Sequence, residues 1–169
     1  MAGSSSSAAP TSSSRRRPTG GLGQLLLRLV TAALLVVDAY VHLPDHGFYL
    51  GSRGGAISQG SLFVLEAAVA ALAAVVLILG WRVRVPRRAD WAVAFLVAAS
   101  ALAAVMLYRY VDVGTVGPLP NMYEPTWEVP GKVPSAYAEG AAAVLSVLGL
   151  VLTGRMRPGS GNHFPQEVC

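Results

Sequence analysis

The chain has 169 residues, enough for one small domain and not two. Of these, 53% are apolar and only 13% charged, where a soluble domain usually carries about a quarter charged residues, so lipid is the surface this composition suits. The net charge of +4 sits in short Arg clusters between apolar runs, which excludes a nucleic-acid face, and the single cysteine, Cys169, excludes an internal disulfide and CxxC redox chemistry.

Residues 1–21 are rich in Ser, Ala, Pro and Gly around Arg15, Arg16 and Arg17, too poor in apolar groups to pack, and are expected to be a disordered tail. Four apolar runs follow, at 22–43, 62–80, 91–110 and 136–153. Each is near the roughly 20 residues needed to cross a hydrocarbon core of about 30 Å, and a span must be helical to satisfy its backbone. Residues 154–169 form a second tail. The expected fold is all-α: a transmembrane four-helix up-down bundle, residues 22–153, with disordered cytoplasmic tails. The alternative, a cleaved signal peptide whose apolar region is Leu25 to Val37, lacks a small-x-small site and is interrupted by Asp38.

Arg15–Arg17 and Arg28 flank the start of the first run. Arg82, Arg84, Arg87 and Arg88 separate the second and third, and Arg155 and Arg157 follow the fourth. The positive-inside rule therefore places both termini in the cytoplasm of a multi-pass cell-membrane protein. Trp81 and Trp91 are expected at the cytoplasmic interface, and Tyr40, Tyr49, Tyr108, Tyr110 and Trp127 at the outer one.

The ionisable residues within the spans cluster by depth. Pro44 is expected to stop the first helix, leaving Asp38 roughly 7 Å inside its outer end at about 1.5 Å per residue. Glu66 and Glu139 each lie four residues into their runs, roughly 6 Å, and Arg109 lies near the outer end of the third. The inner two-thirds of spans two, three and four carry no charge. Asp38 and His42 share a face at i, i+4, and Arg109 and Asp112 stand at i, i+3. Groups so costly to bury are cheapest facing one another, so Asp38, His42, Glu66, Arg109, Asp112 and Glu139 form the expected polar cluster.

Two readings of that cluster stand. In one, Arg109 neutralises one or two of Asp38, Glu66 and Glu139 and pins the bundle. In the other, three carboxylates against one Arg leave negative charge to be met by protons, by His42 as imidazolium, or by a bound cation. As a metal site the ligands are Asp38, His42, Glu66 and Glu139, a set that suits zinc, manganese or iron. Asp45 and His46 are further candidates in the loop. Haem is not expected, because His163 lies in the tail and no second span carries an axial histidine. The long connection 111–134 carries Pro118, Pro120, Pro125, Pro130 and Pro134, which restrict its backbone. It is expected to form an ordered flap over the outer mouth, with Asn121, Tyr123, Glu124 and Trp127 supplying contacts, or else to lie among the headgroups. The Gly-rich loop from Pro44 to Gly60 is expected to be the more flexible.

The stretches Ala39–Leu43 (AYVHL), Ile57–Phe63 (ISQGSLF) with Glu66, Leu107–Gly114 (LYRYVDVG) and Gly117–Pro125 (GPLPNMYEP) with Trp127 resemble an uncharacterised family of small four-span actinobacterial integral membrane proteins. The likeness covers 25–153 and carries over a fold but no activity. The general plan is also similar to DoxX-like proteins, some of them partners of quinone-linked oxidoreductases. The reading leans away from an enzyme and assigns no catalytic residues. It favours an integral membrane protein whose outward-facing polar cluster binds a ligand or cation or stabilises the bundle. The alternatives are a subunit of a membrane oxidoreductase or a metal-dependent membrane enzyme, and a small transporter. Expected partners are the lipid bilayer, further copies of the chain or a membrane partner protein, with no nucleic acid.

Overall fold

The computed structural model describes residues 20–49, 54–80 and 88–155. The expectations for most of both tails, for Trp81, Arg82, Arg84 and Arg87, and for the side chains of Asp45, His46 and Arg155, lie outside the described residues.

Four helices follow in order: α1 Gly20–Phe48, α2 Gln59–Leu79, α3 Ala89–Tyr110 and α4 Lys132–Arg155. Each contains a stretch long and apolar enough to cross a membrane. Among the described residues there is no strand, only an isolated bridge between Val116 and Leu119. The fold is all-α and compatible with an integral membrane protein.

The helix ends differ from the sequence expectation at instructive places. Pro44 does not stop α1, which continues to Phe48. Proline deletes one bond to the carbonyl four residues back, and Pro44 stands in the last turns with its side chain exposed, where little packing depends on that bond. Helix α2 starts at Gln59, not Leu62, because Ser58 caps it: its Oγ accepts from Ser61 N at 3.1 Å. Helix α4 starts at Lys132. Pro134 falls in its first turn, where a missing N–H costs nothing, and Gly131 takes the preceding φ of 86°, a conformation other residues rarely adopt.

Helix α1 packs on α2 and α4, and α3 on α4, while α2 and α3 are the least closely packed of the four neighbouring pairs. Alanine makes the close approaches possible: Ala67, Ala70, Ala73 and Ala74 of α2 are buried, as are Ala94, Ala98 and Ala101 of α3 and Ala138, Ala142 and Ala143 of α4. Their three- and four-residue spacing is one helical face, and Ala68 and Ala71, off that face, are exposed. Leu35, Leu77 and Trp91 fill the remaining centre.

Trp91 is fully buried within the bundle rather than on its outer surface. Its ring lies where a side chain on Gly149 would stand, so the smallest residue on α4 admits the largest on α3. Above it, Arg28 and Asp90 form a buried pair that the sequence reading missed. Arg28 Nη1 donates to Asp90 Oδ2 at 2.5 Å and to Leu77 O at 2.7 Å, and the guanidinium lies 5.0 Å over the Trp91 ring. In the sequence reading Asp90 precedes the third span, 91–110. Because α3 begins at Ala89, it falls within the helix.

The segment between α3 and α4 folds back onto the other end of the bundle. Glu124 N donates to Tyr108 O at 3.0 Å and Ile57 N to Pro118 O at 3.0 Å. A Cβ on Gly55 would stand 2.5 Å from Pro120 N, so only glycine lets these two connections touch. Pro120 is fully buried.

Candidate functional site

At this end α1, α2 and α4 bring Asp38, His42, Glu66 and Glu139 together. One ligand atom from each lies within 4.8 Å of all the others. From His42 Nε2 the distances are 3.3 Å to Asp38 Oδ1, 3.7 Å to Glu139 Oε1 and 3.8 Å to Glu66 Oε2. Donors bonded to one transition-metal ion at about 2.0–2.2 Å stand roughly 3–4 Å apart, a range that the three spacings from His42 Nε2 meet. Asp38, His42 and Glu139 are buried, and Glu66 is partly open.

Local structure explains the convergence. Asp38 and His42 are one turn apart on α1, and Ser135 and Glu139 one turn apart on α4. The His42 ring is stacked on Phe63 of α2, centroids 5.3 Å apart, and Tyr49 meets the edge of Phe63 at 5.3 Å. This aromatic stack holds the imidazole toward the three carboxylates.

Ser135 is the member that sequence reasoning missed, though its place four residues before Glu139 was a usable signal. Its Oγ stands 2.9 Å from Asp38 Oδ1, 2.6 Å from Glu139 Oε1 and 3.3 Å from His42 Nε2. A hydroxyl carries one hydrogen and donates once, so its three contacts cannot all be Ser135 donations. Three further buried atoms, Asp38 Oδ2, His42 Nδ1 and Glu139 Oε2, have no hydrogen-bond partner. Buried polar atoms are nearly always paired, and three of the seven exceptions among the described residues fall on this cluster.

Arg109 and Asp112 do not join it, contrary to the six-residue expectation. Among the described residues no Arg or Lys makes an ion pair with Asp38, Glu66 or Glu139. Arg109 instead lies over Tyr110 at 5.1 Å and over Trp127 at 5.6 Å. Its position in the last turn of α3 sends it to the aromatic side chain of the returning segment. Asp112 lies beyond the helix and accepts from Gly114 N at 3.0 Å and Asn121 Nδ2 at 3.1 Å. Asn121 Oδ1 in turn accepts from Tyr123 N at 2.9 Å. Asn121 and Asp112 thus shape the segment, and Trp127 carries Arg109 on it.

Beside the cluster a cleft of about 440 Å³ runs between α2 and α3, within the roughly 300–1,000 Å³ of small-molecule sites. His42, Glu66 and Ser135 reach it, whereas Val69, Val97, Ala101 and Ala104 make apolar walls. Leu119, Met122, Glu124 and Val129 border it from the returning segment. The cleft exists because α2 and α3 are the least closely packed neighbours in the bundle.

No protein-family model matches the chain, nor does any curated protein or any solved structure.

Proposed function

We propose that this chain is an integral membrane protein that holds one divalent transition-metal cation through Asp38, His42, Glu66 and Glu139. The observation that carries the reading is the meeting of four ligand atoms, three of them carboxylate oxygens, within 4.8 Å. A cation answers the charge there: it neutralises carboxylates that no described Arg or Lys pairs with. The nitrogen and oxygen donors suit zinc, manganese or iron. The Arg clusters in the sequence favour cytoplasmic termini, which sets the His42 end toward the outer face.

Metal analysis of the detergent-purified protein tests this. The expected result is about one equivalent of zinc, manganese or iron that dialysis against chelator removes and that raises the melting temperature when restored. Protein that purifies without metal, and whose melting temperature none of the three ions changes, overturns the reading.

The Ser135 hub favours a second reading, a cation-free network in which shared protons join the carboxyl groups and fix the packing of α1 against α4. That network predicts the metal-free result, together with a loss of stability in Ser135→Ala.

A further inference from the structure

We propose that the cleft between α2 and α3 takes a long-chain alcohol from the lipid phase, its hydroxyl oxygen on the cation and its chain between the helices. The inference rests on the cation reading. It begins from an asymmetry in the four ligands. Asp38 and Glu139 are sealed in the bundle, whereas His42 and Glu66 line the cleft, so any coordination position left open by the protein faces it.

The rest of the cleft describes the ligand. Along α2 and α3 the walls are mainly apolar, with Val69, Val97, Ala101, Ala104 and Val105, and the Ser100 hydroxyl on α3 is already donated to Val97 O at 3.0 Å. At the margin Leu65 is 59% exposed and Val69 41%, on helices that qualify as membrane spans. The mouth therefore opens sideways from the bundle, to where a membrane would supply apolar chains.

Charge and hydrogen bonding select the head. Three carboxylates and a neutral imidazole around a divalent ion sum to one negative charge, which repels an anionic head and accepts a neutral oxygen. Gln59, only 6% exposed, lines the same cleft, and its Oε1 has no donor. A hydroxyl meets both demands, since its oxygen has lone pairs for the cation and its hydrogen can be donated to the amide oxygen. A carbonyl head meets only the first.

Cobalt(II), substituted into the chelator-stripped full chain in detergent, reports on its coordination through its visible absorption. Octan-1-ol is expected to change that spectrum saturably and at least tenfold more tightly than octanoate. Ala104→Phe, which fills the cleft away from the ligands, is expected to bind cobalt as before and to weaken octan-1-ol at least tenfold. Val105→Phe serves the same purpose if Ala104→Phe does not fold. Cobalt bound with no response to octan-1-ol overturns the inference and leaves the cation reading standing. So does octanoate binding as tightly as the alcohol, or a filled cleft binding the alcohol unchanged. Failure to bind cobalt overturns both.

Discussion

The bundle buries polar groups at two ends, and the two are built on opposite principles. Around Arg28 the charges balance one to one. Asp90 Oδ2 receives Arg28, Asp90 Oδ1 accepts from Trp91 N at 2.8 Å, and the second Arg28 contact is the Leu77 carbonyl. One pair ties α1, α2 and α3, and neither Arg28 nor Asp90 has a buried atom without a partner. Around His42 three acids meet one imidazole and one hydroxyl, and three buried atoms are left over. A closed network can only hold the fold, since removing a member leaves an uncompensated charge. An open one has capacity for something that is not part of the chain.

The comparison breaks first at Arg28. Arg28→Leu leaves Asp90 buried and unpaired and is expected to cost about 3–5 kcal/mol in denaturant unfolding in detergent. Adding Asp90→Leu should recover much of that, because an apolar pair of similar volume is tolerated where one lone charge is not. Equal stability of Arg28→Leu and the unaltered protein would show that the pair does not hold this end.

The counterpart at the other end is Asp38→Asn, which keeps the shape and removes a ligand. Without metal its stability should change by about 1 kcal/mol or less. At a cation concentration one hundred times the dissociation constant of the unaltered protein, it should lack the roughly 2.7 kcal/mol that binding confers. A thermal shift on adding metal that is the same in both proteins would remove Asp38 from the ligand set.

Two smaller effects sharpen the contrast. Gly149→Val drives a side chain into the Trp91 ring, an overpacking expected to cost about 1–3 kcal/mol with metal content unaltered, as measured by unfolding and elemental analysis. Arg109→Gln loses contacts with Tyr110 and Trp127 that are worth about 0.5–1 kcal/mol at partly exposed sites. Bound metal should again be unchanged in elemental analysis; its loss would return Arg109 to the cluster.

Much of the site was legible because membrane depth is nearly a one-dimensional quantity. Counting residues from the span ends placed Asp38, Glu66 and Glu139 at one level, and the helical repeat put His42 on the face of Asp38. Arg109 met the same depth criterion and went elsewhere, because depth says nothing about the direction a side chain takes around its helix. Asp90 was passed over for a boundary error of two residues, and the burial of Trp91 inside the bundle had no sequence signal. The cleft had no signature at all, since it arises from how loosely two helices pack.

The amino-acid sequence alone determined the number of helices, their apolar character and the level of the costly groups within them, because each follows from local composition and a fixed rise per residue. Tertiary structure alone decided which of those groups face one another. It paired Arg28 with Asp90, turned Arg109 onto Trp127, made Ser135 the hub of the acidic cluster and left the cleft between α2 and α3. Those choices depend on the rotation and spacing of each helix against its neighbours, which alanine and glycine permit across the bundle and which no single helix specifies.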